Sequence, residues 1–326
     1  MADTISFQSV VDALLDSGKA FPKRYYQHFS DIDPASLKTL LDAWPRVAPT
    51  RKLALLDGLE STLEEDTLVS FDDLARALLT DADAGVRARA IRLLDECEDA
   101  KLVPFFVKIL SKDSDPTARA EAATALGQFV ELGELEEIPE SVHHQAEDAL
   151  LNAANLDDSL LVRRRAVESL GFSARTEVPA LIESAFQRQD PDWIASALFA
   201  MGRSSDERWA EPVVRMLLSE NRVVRLAAAE AAGELGLDAA RLPLLRLLDE
   251  EDDVDVFQAA VWSLSQIGGE DVRTYLVNLL DQFDEDADVE FLEDALANLS
   301  FTEDAGRFDL LAFDEDDDLR EVDLKD

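Results

Sequence analysis

The chain has one cysteine, three histidines and three methionines in 326 residues. A lone Cys97 excludes an intrachain disulfide. It sits at the end of an apolar stripe and reads as an inert small side chain. Glycine and proline are sparse, at 12 and 11, and no strand-like alternation persists, which excludes a β-rich fold. No window approaches the roughly 18 apolar residues of a membrane-spanning helix. No early stretch combines a basic flank, an apolar run and a small-residue cleavage site. A soluble, cytoplasmic protein that does not engage a membrane is therefore expected. Basic residues number 31 against 70 acids, a formal charge of −39. That field opposes duplex binding, which needs a basic stripe to neutralise phosphates. It suits high salt or basic partners equally well. With 47% hydrophobic residues the chain is no disordered polyanion.

Catalytic patterns are missing as well. There is no Cys-x-x-Cys, His-Glu-x-x-His, phosphate-binding loop or nucleophile elbow. None of His28, His143 and His144 belongs to a His-Glu pair, and His143 and His144, which would diverge on a helix, read as surface residues. The acidic run from Asp284 to Glu290 lacks a calcium loop's glycine and glutamate, with Val289 and Ala295 in those places. No cofactor, metal or catalytic residue is assigned, and the chain is expected not to be an enzyme.

What the chain does have is recurrence. Ala54, Ala90, Ala122, Ala166, Ala197, Ala228, Ala260 and Ala295 stand 31–36 residues apart, save for one interval of 44. A period of that length means stacked supersecondary units. Apolar or small residues four before, one after and four after each alanine complete a helical stripe, as in Val86, Ile91 and Leu94 around Ala90. The alanine is expected to let a neighbouring helix approach. Asp83, Asp115, Asp158, Asp190, Asn221, Asp253 and Asp288 precede these helices as N-cap or turn residues. Upstream lie further apolar helices, at 71–79, 103–110, 178–186, 212–218 and 242–248, with Pro104, Pro179, Pro212 and Pro243 near their starts.

These segments, notably 103–127, 162–171 and 213–236, resemble the HEAT-repeat family in its short, phycobilisome-lyase-like form. The resemblance spans roughly residues 34–302 and implies an all-α solenoid of about eight helix-turn-helix units. It also implies a ladder in which Asp83, Asp115 and Asp190 pair with Arg87, Arg119 and Arg225 or their neighbours, Arg51 and Arg163 being further members. Ile194, Phe257 and Leu292 interrupt it. Deoxyhypusine hydroxylases are also HEAT-like, but their repeated His-Glu pairs are missing here.

Three domains are expected: an N-terminal helical cap at 1–33, the solenoid at 34–302, and a disordered acidic tail at 303–326. The cap comprises an amphipathic helix at 4–17, ended by Gly18, and a basic aromatic segment. Lys23, Arg24, Tyr25 and Tyr26 of that segment either cover the first repeat or dock a partner. The long interval is expected to extend the third unit's second helix near residues 131–140.

In such stacks the second helices line the concave side. Outward positions there carry Arg89, Arg92, Arg164, Arg165, Phe199, Arg203 and Trp262. Arginine and aromatics are frequent interface hot spots. These seven residues are the candidate partner-binding set, for a protein or peptide with acids and an apolar anchor. The chain's own tail, around Phe308 to Asp318, matches that chemistry. The leading expectation is a non-catalytic protein-protein interaction scaffold. The alternative is a cofactor-attachment helper resembling phycobilin lyase subunits; nucleic-acid handling, as in HEAT-like DNA glycosylases, is opposed by charge.

Overall fold

The computed structural model describes the backbone of residues 6–283 and 286–317, and the side chains of 6–283 and 287–304. Every regular element among the described residues is helical. The chain forms two compact units, residues 1–173 and 174–326. The first holds α1 (Phe7–Leu15), α2 (Pro34–Ala43), α3 (Pro49–Glu65), α4 (Asp72–Leu78), α5 (Ala84–Arg92), α6 (Val103–Lys112), α7 (Pro116–Glu134), α8 (Glu140–Leu156) and α9 (Leu160–Ser169). The second holds α10 (Val178–Phe186), α11 (Pro191–Arg203), α12 (Ala210–Met216), α13 (Arg222–Glu234), α14 (Arg241–Glu250), α15 (Val254–Ile267), α16 (Glu270–Leu280) and α17 (Asp286–Asp317). From α4 onward consecutive helices pack in pairs among the described residues, three pairs in the first unit and four in the second, in the α-solenoid class. Each unit packs its second helices in a row: α3, α5, α7 and α9 in one, α11, α13, α15 and α17 in the other.

The caps follow the sequence. Asp83 accepts from the amides of Gly85 and Val86, Asp115 from Thr117 and Ala118, and Asp190 from Asp192 and Trp193. Asn221 and Asp253 do the same for Val223 and Val256. Two assignments need correction. Ser159, one residue after Asp158, holds the N-cap position of α9, and Asp288 lies inside α17.

The arginine ladder exists with different acids. The capping aspartates are occupied by amide groups, so each arginine reaches the acid two residues before the next cap. Arg87 grips Asp113 with two bonds of 2.6 and 2.7 Å, Arg119 grips Asp157 with two of 2.9 Å, and Arg225 grips Glu251 at 2.7 and 2.9 Å. A third guanidinium N–H donates to a carbonyl of the arginine's own preceding turn: Asp81, Asp113 or Ser219. The same acids accept the amides of Asp115, Ser159 and Asp253. One guanidinium thus ties a helix end in its own pair to the turn of the next. Arg163 instead donates to the Ala154 carbonyl, and Arg188 stacks over the Trp193 ring.

Seven of the eight alanines, Ala90 to Ala295, are fully buried. Ala54 is exposed, and Leu55 takes the core position. Pro49 opens α3 and shifts its register by one. Lys52, not Arg51, therefore holds the ladder place, 3.6 Å from Asp81 and over the Trp44 ring. Arg51 instead donates to the carbonyls of Asp16 and Lys19.

The tightest helix approaches lie beyond the alanine, at the residue five later. A Cβ on Gly127 would meet Ser169 at 3.0–3.3 Å, and one on Gly202 the Ala231 Cα at 3.1 Å. One on Gly233 would fall 2.8 Å from the Ser263 Cα. Successive second helices therefore meet small residue against glycine.

The N-terminal aromatics pack inward. Phe29 and Tyr25 are buried, Phe7 and Phe21 pack near Phe29, and Tyr26 lies where a Gly58 Cβ would sit. α1 is shorter than the 4–17 read from sequence. The long interval does lengthen α7, to 19 residues. α7 closes with Glu137 donating to the Leu132 carbonyl at 2.8 Å, which puts Glu136 at φ 60°. α13 closes identically with Gly236 at φ 59°. Glu136→Gly should accordingly raise stability by about 0.5–1 kcal/mol, since only glycine adopts this region without a Cβ clash; urea unfolding would read it. At the C-terminus the last helix, α17, runs from Asp286 to Asp317. Residues 318–326 lie outside the described residues.

Candidate binding face

In the first unit, α5 and α9 carry the four arginines of the candidate set. Arg89 pairs with Asp57 of α3 through Nε and Nη2, the latter at 3.3 Å. Arg92 grips Glu60 of α3 at 2.6 and 2.9 Å and reaches Glu121 of α7 at 3.2 Å. The Glu60 hydrogen bond is the main reason that the Arg92 pKa is raised above its ordinary value. Arg165 is exposed and bonds Glu168 of its own helix at 2.6 Å, and Arg164 is half-buried beside it. The structure therefore brings Arg89 and Arg92 together, within a mixed-charge lattice spanning three helices rather than a bare basic stripe. A cleft of about 540 Å³ opens beside them, lined by Glu60, Glu64, Arg92, Glu96, Cys97 and Glu121 among others. Burial first of all pushes the Cys97 thiol pKa up, which keeps it protonated at neutral pH.

In the second unit the outward position two after each alanine holds Phe199 on α11, Glu230 on α13 and Trp262 on α15. The Arg203 guanidinium lies 4.0 Å from the Phe199 ring centroid. Trp262 is 41% exposed, a large apolar area for a helix surface. One turn on in the same register, Phe301 of α17 is 76% exposed. Sequence reasoning missed it by stopping at the first outward position; spacing of four from Ala297 would have found it.

Where the ladder arginine gives way to Phe257 and Leu292, the structure shows the replacement. Phe257, Phe283, Phe291 and Leu292 line an apolar cleft of about 330 Å³ rimmed by Glu251 to Asp253. The rings of Phe257 and Phe283 are 6.1 Å apart. The last joint is thus apolar where those of Arg87, Arg119 and Arg225 are ionic.

His143 is not the surface residue expected. Its side chain is 12% exposed and its Nε2 faces two carboxylates. The cause is Gly133: a Cβ there would fall 2.2 Å from the His143 ring, so glycine leaves room for it to lie against α7. His144, next to it, is exposed. The tail segment whose chemistry matches the expected partner, Phe308 to Asp318, lies outside the residues whose side chains are described.

A family model described as HEAT repeats matches residues 71–171 and 178–265, and a model of the PBS lyase HEAT-like repeat matches residues 256–282. No curated protein matches the chain. Among solved structures, the chain is similar to YibA of Escherichia coli, at 18% identity and TM-score 0.45, covering 86% of this chain and 98% of that one. It is similar to the CpcE–CpcF complex of phycocyanin lyase from Nostoc at 19% identity and TM-score 0.48, with 70% and 94% covered. Importin beta aligns at 12% identity and TM-score 0.45, with 90% and 46% covered.

Proposed function

Since the chain belongs to the HEAT-repeat family, we propose that it is a scaffold without catalysis of its own, whose second-helix faces bind a protein or peptide partner. The observation that carries this is the solvent-facing tryptophan, Trp262, at a helix position where a polar residue is ordinary. Phe199 with its stacked Arg203, and Phe301, extend the same face. Arg89, Arg92, Arg164 and Arg165 provide donors on the corresponding face of the first unit. An acidic segment with an aromatic or aliphatic anchor has the matching chemistry. Exposed aromatic anchors are where truncation costs most in binding, about 2 kcal/mol or roughly 30-fold.

Affinity capture from native lysate with the full chain, followed by measured binding of each retained protein, tests this. A retained partner should bind Trp262→Ala roughly 30-fold more weakly, with unchanged circular dichroism. Partners that bind the variant and the parent chain equally would remove this face from the proposal.

A further inference from the structure

The geometry points to a second site in the first unit: Glu134, His143 and Glu147 form a three-ligand site for a divalent transition-metal ion such as Zn2+. The site is separate from the partner-binding face and does not depend on it. Glu134 ends α7, while His143 and Glu147 stand one turn apart on α8. The His143 Nε2 lies 3.7 Å from Glu134 Oε1 and 3.5 Å from Glu147 Oε1. One donor atom from each of the three residues falls within 4.8 Å of the others.

Both nitrogen–oxygen gaps are too long for good hydrogen bonds. They are close to the roughly 3.4 Å that separates two ligands of a tetrahedral ion with bonds of about 2.1 Å. The His143 Nε2 is buried and has no hydrogen-bond partner, an expensive state for an imidazole nitrogen and the ordinary state of a ligand awaiting a cation. Glu147 is 2% exposed, so its carboxylate is removed from water beside that nitrogen. The Ser173 hydroxyl donates to Glu147 Oε1 at 2.5 Å, which fixes the carboxylate as outer-shell groups do in metal sites. Glu134 is the outermost member, its side chain 30% exposed, leaving a side open for entry and for a fourth ligand from solvent. One imidazole with two carboxylates suits Zn2+, Co2+, Mn2+ or Fe2+ better than a thiolate-seeking ion. Gly133 is part of the device, because any side chain there displaces the ring.

Cobalt provides the test, since tetrahedral Co2+ absorbs visible light far more strongly than the octahedral Co2+ that the many exposed acids would bind weakly. The full chain, freed of metal by chelator, is titrated with Co2+ and then with Zn2+. One equivalent should develop a visible d–d band that Zn2+ bleaches. His143→Ala should weaken binding at least about 100-fold, and Ser173→Ala about 10-fold through loss of the supporting bond. His144→Ala should leave the band unchanged. Should His143→Ala fail to fold, Glu134→Gln removes a ligand at the surface and must still weaken Co2+ binding. Equal titrations for the parent chain and a folded ligand variant, or weakly absorbing multi-site binding alone, would overturn the assignment.

Discussion

Arg119→Met is expected to lower the unfolding free energy by about 3 kcal/mol, the cost of removing one partner from a buried, hydrogen-bonded ion pair. Arg119 and Asp157 side chains are each 10% exposed. The guanidinium bonds both Asp157 oxygens and the Asp113 carbonyl. Methionine keeps most of the apolar stem but takes two donors from the Asp157 carboxylate and one from the Asp113 carbonyl. Arg165→Met is the control: 48% exposed and paired only within its own turn, it should cost less than about 0.5 kcal/mol. Urea unfolding of the full chain measures both, and amide exchange at residues 113–119 and 157–163 localises the loss. A cost below about 1 kcal/mol for Arg119→Met would mean that water readily replaces the guanidinium.

The same pairs set an acid dependence. Arg225 holds the Glu251 pKa below the ordinary carboxylate range. For Asp113 and Asp157, burial is the largest single effect and works upward, but the hydrogen bonds from Arg87 and Arg119, those from the Asp115 and Ser159 amides, and the arginine charges together outweigh it, and both end below their usual values. A lowered folded-state pKa means stability that is fully present above the unfolded value, near 4. It is lost as pH falls through the lower folded value. The chain should therefore lose stability as pH drops below about 4, and Arg119→Met should flatten that slope.

Gly233→Val is expected to cost about 3 kcal/mol. The new Cβ would sit 2.8 Å from the Ser263 Cα and 2.7 Å from its Oγ, so α13 and α15 must separate. That separation also strains the 2.6 Å bond from the Ser263 hydroxyl to the Ala229 carbonyl. Gly127→Ala provides the contrast. Its neighbours on Ser169 stand at 3.0–3.3 Å, and the gain in helix propensity of about 1 kcal/mol offsets the crowding. Thermal unfolding should show a large drop for the first and little change for the second. A comparable drop for both would mean that glycine serves these helices in some way other than close approach.

Much of this was legible in the chain, because burial leaves a period. The alanine recurrence located seven core positions and the second helix of each packed pair. It failed at Ala54 because Pro49 resets where α3 begins, and one residue turns a helix by about 100°. The ladder was misassigned because two acids two residues apart, such as Asp113 and Asp115, look alike in sequence. Only their competition for amide groups separates the cap from the arginine's partner. His143 was missed because adjacent His-Glu pairs were sought. Its carboxylates come from four residues along α8 and from the end of α7, and no local pattern announces that Gly133 makes room for the ring.

The change from guanidinium to phenyl along the second unit sets an order of release. Acid undoes a joint whose grip depends on an ionised carboxylate, such as that between Arg225 and Glu251, and leaves one made of stacked rings. Warming and cooling act the other way, since hydrophobic contact changes with temperature more than with protons. Acid below about pH 4 should thus slacken the α13–α15 joint while Phe257 and Phe283 still clamp the neighbouring one, so the array yields one vertebra at a time.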